Sequence, residues 1–278
     1  MNTFIPPPPQ LSAILHTAMY TAVPHGFYHI PASLYPTLLV TLSGKIVLHH
    51  GGETLTFPNL VICGGTRQPR LAWADQHTHI FNIAIRHGQM PRLFGEAAGL
   101  LMDTFAPWQS LLTPNLQAPV CRLAERLPVL TPSQAIADIW QTLAILTSAH
   151  AAYTDTLFIP PQWLHLHSAE LSTAFACSAR QLERRFQAAY GQSLRAYRRQ
   201  IRCSRAIPLL LNCAHIPLVT LATECGYYDQ AHFQRDILHF TGHTPTHIRQ
   251  AVLSQSDDVW AFNATAKAST TLFGSEGF

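Results

Sequence analysis

The sequence predicts an α+β protein: a β-rich N-terminal half with helices, followed by an all-α domain of two helix-turn-helix modules joined by a long helix. Three observations carry this. Residues 15–94 run in short apolar stretches broken by Gly, Pro and Asn, helical periodicity returns after Pro91, and Leu171 to Gln250 runs through one design twice at a spacing of 51 residues. At 278 residues, 47% hydrophobic and 12% charged, the chain is long enough for two domains with cores of their own.

The chain opens on Pro6 to Pro9, a stiff, extended run that reads as a surface arm. The apolar runs that follow are Leu38 to Leu42, Lys45 to His49, Glu53 to Phe57, Asn59 to Cys63 and His79 to Arg86. Ser43-Gly44 and Gly51-Gly52 supply turns between them. Runs of this length with such punctuation predict an antiparallel sandwich or barrel.

After Pro91 a short helix is expected between Val120 and Leu127. A longer one starts at Thr131-Pro132-Ser133-Gln134, a capping-box pattern, and its stripe of Ile136, Ile139, Trp140, Leu143 and Leu146 covers the sheet or forms a dimer interface. Residues 1–155 therefore form the first domain. The segment 156–163 carries two adjacent prolines and no helical pattern, which makes it a short, stiff linker. Residues 164–250 form the second domain, and the Ser, Thr and Ala-rich tail 251–278 is expected to be loosely ordered.

Within the repeat, Leu182, Phe186 and Tyr190 recur at the spacing of one buried helical face and stop at Gly191. Their counterparts are Phe233, Ile237 and Phe240, which stop at Gly242. Both copies restart on a cap, Ser193 in the first and Thr244-Pro245 in the second. Cys177 and Cys225 fall at equivalent turn positions, where a small buried side chain is the expected role. The segment from Ser193 to Asn212 would be a helix of about 30 Å, which could set two modules into successive major grooves about 34 Å apart. Pro208 lies inside it, where proline removes a hydrogen bond and kinks the axis.

The formal net charge is only +3, but it is unevenly spread. Residues 1–155 hold seven Lys/Arg and seven Asp/Glu, whereas residues 163–250 hold ten Arg, no Lys and five acids. The positive charge thus sits on the repeat, as arginine, whose planar fork suits phosphates and guanine edges. The six cysteines, Cys63, Cys121, Cys177, Cys203, Cys213 and Cys225, show no metal-ligand rhythm and read as reduced thiols of a cytoplasmic protein. Neither a membrane span nor a signal peptide is expected.

Residues 168–249 resemble the paired DNA-binding module of the AraC/XylS transcriptional regulators. The match is clearest in Ala222 to Tyr227 (Ala-Thr-Glu-Cys-Gly-Tyr), Asp229-Gln230, Phe233-Gln234-Arg235, Gly242 and Thr244-Pro245. Two such modules ending in Gly-x-Thr-Pro-x-x-x-Arg make the resemblance specific over about 80 residues. It implies a sequence-specific regulator, an activator, that binds double-stranded DNA and RNA polymerase, and it implies that residues 1–155 are a cupin-like barrel that senses a small-molecule or protein effector and dimerises. Carried over by position, the base-facing residues are Arg180, Glu183 and Arg184 in the first module and Gln230, Gln234 and Arg235 in the second. Arginine can be bidentate to guanine and glutamine to adenine, while glutamate can accept from cytosine. Each could instead be a solvated side chain, and Arg235 could pair with Asp236 or Glu224. Arg198 and Arg202, on the connecting helix, are phosphate-contacting candidates. The chain departs from the family at Pro208, at Ala231, where polar residues are frequent, and at Ile216-Pro217, which offers no hydroxyl cap.

No catalytic set is assembled. Ser33, Ser43 and Ser110 lack an elbow motif, and no glycine-rich phosphate loop is present. His49-His50, Glu53 and His77-x-His79 do not complete a metal cupin's pattern, although His77 and His79 would share one face of a strand. No cofactor or metal is expected, and the protein reads as no enzyme. The alternative is a cupin-type metalloenzyme fused to a DNA-binding module.

Overall fold

The computed structural model describes residues 2–50, 53–95, 101–153, 157–213, 215–254, 256, 260–263 and 266. Ten strands come first: β1 (Asn2–Ile5), β2 (Leu15–Ala22), β3 (Gly26–Ile30), β4 (Thr37–Ser43), β5 (Ile46–His50), β6 (Glu53–Thr56), β7 (Leu60–Cys63), β8 (Arg70–Ala74), β9 (His79–Ile85) and, beyond the short helix α1 (Pro91–Phe94), β10 (Phe105–Pro107). They form two sheets, in the orders β1-β2-β9-β4-β7-β10 and β3-β8-β5-β6. All pairings are antiparallel. The expected barrel is therefore an open arrangement of two sheets. Each sheet ends on its own edge strands, so no ladder closes the ring among the described residues.

Alternation decides which faces meet. In β9, Ile80 joins the core between the sheets, while Phe81, Ile83 and Ile85 face the helices α2 (Pro114–Arg126) and α3 (Pro132–Ala149). The cap of α3 is the expected one: Thr131 Oγ1 accepts from Gln134 N–H at 3.4 Å, and Gln134 Oε1 accepts from Thr131 N–H at 3.0 Å. Its apolar stripe is spent inside the domain. Ile139, Leu143 and Leu146 are fully buried against the sheet, with Ile136 and Trp140 packed at their margin, which leaves Ile145 as the exposed large apolar side chain of the helix. The N-terminal run is no arm either. β1 pairs with β2 and Leu11 is completely buried, because Ile5 and Leu11 carry the prolines between them onto the core.

The second half is helical: α4 (Ser168–Ala174), α5 (Ala179–Tyr190), α6 (Leu194–Asn212), α7 (Leu218–Glu224), α8 (Gln230–Thr241) and α9 (Pro245–Leu253). α6 runs unbroken through Pro208. Residues 260–263 are helical again, and Phe262 packs into the core of the second module, so this part of the tail is anchored. The linker is anchored too, since Leu157 and Ile159 are buried and Ile159 N–H donates to Tyr190 Oη at 2.9 Å. The 51-residue repeat holds from Ser178 and Asp229 onward, but the turns before it align at 50. Ala176 N–H bonds to Thr173 O as Gly226 N–H does to Thr223 O. Cys177 is thus the counterpart of Tyr227 rather than sharing a position with Cys225, because the second turn holds one extra residue.

The two halves share one core. Leu34 and Tyr35 of the β domain cluster with Leu182, Phe186, Tyr190 and Tyr197. His87 is enclosed there, with its Nε2 hydrogen-bonded to Tyr197 Oη at 2.7 Å and Tyr190 stacked on its ring at 4.5 Å. Burial is the chief cause, and the nearby His16 the lesser one, that lowers the His87 pKa to about 3.

These contacts have two measurable consequences. Ala176 holds φ 47°, the left-handed region where its counterpart is Gly226. Ala176→Gly should therefore stabilise the protein by about 0.5–1 kcal/mol in denaturant unfolding, and a loss of stability would contradict the strain. The second concerns pH. Because the folded pKa of His87 lies below the unfolded value, the unfolded chain takes up the proton first as pH falls. Its contribution is complete above pH 6.5 and is lost from there toward pH 3, by about 2 kcal/mol at pH 5. The fall in stability between pH 7 and 5 should be smaller in His87→Gln, and equal falls would contradict this.

Candidate nucleic-acid interface

Each module presents its second helix from a capped turn. Ser178 Oγ accepts from Gln181 N–H at 3.2 Å at the start of α5, and Asp229 Oδ1 accepts from His232 N–H at 2.6 Å at the start of α8. Both helices end on glycines with positive φ, Gly191 at 71° and Gly242 at 78°. Caps and stops leave little freedom in where each helix begins. The apolar stripe then fixes its rotation: Leu182, Phe186 and Tyr190 turn α5 inward, and Phe233, Ile237 and Phe240 do the same for α8.

The opposite faces carry the positions named from sequence. Arg180, Glu183 and Arg184 are all exposed on α5, grouped on its first two turns. On α8 Arg235 is exposed, while Gln230 and Gln234 are half-buried. Arg235 makes no ion pair among the described residues, because the neighbouring carboxylate is taken. Asp236, only 1% exposed, accepts from Arg199 Nε on α6 at 2.8 Å. The Arg199 guanidinium also lies over the Phe240 ring, 5.2 Å from its centroid. This brace from α6 to α8 went unnoticed in the sequence, although an acid inside the Phe233-Ile237-Phe240 stripe is a signal for a buried partner.

The two connecting-helix candidates have different surroundings. Arg198 Nε donates to Leu164 O at 2.5 Å and its Nη2 donates to Leu166 O, so its guanidinium ties the entry of α4 to α6 instead of standing free toward phosphate. Arg249, its repeat partner, does the same for the entry of α7, with Nη2 donating to Ile216 O at 2.5 Å and Cys213 O at 3.2 Å. One arginine per module thus satisfies the carbonyls of the loop leading into the first helix. Such a tie matters most in the second module, where α7 starts at Pro217 with no side-chain cap. Arg202 is half-buried, with its guanidinium 5.5 Å from the Tyr227 ring centroid.

The histidines of the β domain are dispersed. His77 sits in the β8–β9 turn at φ 64°, off the strand, so it shares no face with His79. The His79 ring lies 3.0 Å from Ser43 Oγ and stacks on Tyr20. His49 lies beside Phe27, and the side chains of His50 and Glu53 are outside the described ones. Among the described residues no group of three His, Cys, Asp or Glu could hold a metal ion. No helix among them is long and apolar enough to cross a membrane.

Between the two sheets lies a cavity of about 230 Å³. Met19, Leu39, Leu48, Phe57, Ile80 and Phe105 give it an apolar lining, while Ser204 of α6 and Trp260 beyond α9 close it from the other domain. Arg70, 6% exposed, lines it on the same face of β8 as Ala72 and Ala74. Its guanidinium donates to Asp103 O at 3.1 Å, and Asp103 also pairs with Arg67 at 2.5 Å, so two cations share one carboxylate. Asn82 Oδ1 and Trp260 Nε1 line the same space as buried polar atoms without hydrogen-bond partners among the described residues. Strand alternation from Ala72 and Ala74 was the available signal that Arg70 faces inward.

Residues 171–251 match the family model described as a helix-turn-helix domain. No curated protein matches the sequence. Among solved structures the chain is similar to ToxT from Vibrio cholerae, at 12% identity and a TM-score of 0.46, covering 91% of this chain and 98% of that one. It is also similar to unsaturated fatty acid-bound ToxT from Vibrio cholerae strain SCE256, at 11% identity and 0.43, covering 83% and 93%. The AraC-like transcriptional activator CuxR matches at 12% identity and 0.22, covering 88% and 77%. The matched model spans both capped, repeated modules: residues 171–251 are an AraC-type helix-turn-helix domain, and the chain is a DNA-binding transcriptional regulator.

Proposed function

We propose that the two recognition helices read two half-sites on one face of the duplex, and that the β domain binds a small effector without turning it over. The observation that supports the first part is the pair of exposed polar faces on α5 and α8, held by equivalent caps on either side of a continuous α6. At 19 residues α6 is about 28 Å long, close to the pitch of the duplex. In this reading Arg180, Glu183 and Arg184 contact bases in the first half-site and Gln230, Gln234 and Arg235 in the second. Arg202 remains a phosphate candidate, whereas Arg198 acts by holding α4 in place.

The cavity supports the second part, and its chemistry suggests the effector class. Apolar walls favour an aliphatic or aromatic body, and the Arg70 guanidinium on the cavity wall, a hydrogen-bond donor group, favours an acidic head group. Such a molecule would touch Ser204 and Trp260 as well as the β strands, so its binding energy would depend on how the two domains sit together. RNA polymerase is the partner through which an activator of this type would act. Dimerisation, if the β domain provides it, must use a surface other than the α3 stripe, which the core already occupies.

Arg184→Ala should weaken binding to the selected site by about 1–3 kcal/mol and leave random DNA nearly unaffected. Because Ala231 leaves the second module with fewer base-reaching groups, Arg235→Ala should cost less. Equal losses of Arg184→Ala on specific and random duplexes would overturn base reading by that residue. For the effector, decanoate should raise the melting temperature of the full-length protein, and Arg70→Met should abolish the rise. A rise of the same size in Arg70→Met would overturn the acid-anchoring role, and chemical conversion of the bound acid would overturn the non-catalytic reading.

A further inference from the structure

The second module holds one residue more than the first in the turn before its recognition helix, and that residue is Tyr228. Cys177 is followed directly by the cap Ser178, whereas Tyr227 is followed by Tyr228 and only then by the cap Asp229. Its side chain is 94% exposed, more than any other large hydrophobic side chain among the described residues. Exposure of one aromatic residue is ordinary on a protein surface. What distinguishes Tyr228 is that the backbone on both sides of it is fixed. Tyr227 is buried, and its N–H donates to Ala222 O at 2.9 Å, while its ring lies 5.3 Å from that of Phe233. Asp229 is pinned by its cap bond to His232 N–H at 2.6 Å. Tyr228 thus projects from a rigid corner at the N-terminal end of α8, the end that enters the major groove in helix-turn-helix docking.

We propose that Tyr228 is a DNA contact of the second module, its phenol donating a hydrogen bond to a backbone phosphate beside the second half-site. This rests on the DNA-binding reading given above and adds to it the group that positions α8. Tyrosine hydroxyls are among the groups that make such contacts, which fix register without reading sequence. With its backbone fixed and only two side-chain torsions, a tyrosine loses little conformational freedom on binding, so the bond returns more of its energy as affinity. The inserted residue also compensates for Ala231, where the same helix lacks a polar side chain.

A neutral donor gives the proposal a distinct signature. Removing an arginine from a phosphate lowers affinity and flattens the dependence of log affinity on log salt by about one unit, because fewer counterions are released. Removing a phenol lowers affinity but leaves that slope alone. The test uses full-length protein with the tightest duplex selected from a random-sequence pool and with an unselected duplex, across a salt series. Tyr228→Phe should weaken both by about tenfold, the loss of one hydrogen bond to a charged acceptor, with the salt slope and the melting temperature unchanged. Binding by Tyr228→Phe equal to that of the wild type overturns the proposal while the DNA-binding reading stands. A loss confined to the selected duplex overturns it in favour of base reading, and a changed slope overturns the neutral phosphate contact. Wild-type protein that binds neither duplex overturns both readings together.

Discussion

Gln200, 1% exposed at the middle of α6, has both halves of its amide committed. Its Nε2 donates to Thr66 O of the β domain at 2.9 Å, and its Oε1 accepts from Gln192 Nε2 at 3.0 Å. Sliding α6 along the sheets would bury an amide without partners, at a cost of about 1–3 kcal/mol per group, so these bonds fix the register of the helix against the β domain. Tyr197 one turn earlier and Ser204 one turn later lie on the same side, the first bonded to His87 and the second at the wall of the cavity. Everything downstream inherits this placement. Flanking positions on α6 complete the core of the first module through Leu194 and Ile201 and that of the second through Ala206, Ile207 and Leu210.

The consequence is a short physical route from the cavity between the sheets to the outer faces of α5 and α8. α6 contributes to both module cores and to the cavity wall, and Arg199 on it braces α8 through Asp236. A second contact joins the far end of the DNA-binding domain to the sheets: Ala32 N–H donates to Phe240 O at 2.7 Å, and His29 meets His243 edge-on at 4.6 Å. The β domain therefore touches the connecting helix and the end of the second recognition helix together. A ligand that shifted the sheets against α6 would act on the relation between the two modules, which sets the half-site spacing they can match.

What was legible in the sequence was local. Ser193, Thr131-Gln134 and Thr244-Pro245 cap helices because their bonding partners lie three residues away, and Gly191 and Gly242 stop them for reasons of their own backbone. The exposed set on α5 and the exposed Arg235 on α8 followed from the family pattern, which did not show that Gln230 and Gln234 are half-buried. What stayed hidden depends on distant partners. Tyr197 and His87 are 110 positions apart, and no pattern in either neighbourhood announces the other. Arg198 looks like a free cation until the carbonyls of Leu164 and Leu166 are placed beside it. The extra residue in the second turn was masked because an uninterrupted 51-residue offset aligns everything that follows it. Whether the strands close a ring or form two sheets depends on pairings between strands distant in sequence, such as β2 with β9, which a single chain does not spell out.

In the proposed arrangement one chain sets two recognition helices on one face of the duplex at a spacing fixed by α6. Hydroxyl-radical footprinting of the full-length protein on its selected site tests it most directly. Two protected patches are expected on one face, about one helical turn apart, with the spacing unchanged between different selected sites. A single protected patch, or two patches whose separation varies from site to site, would contradict it.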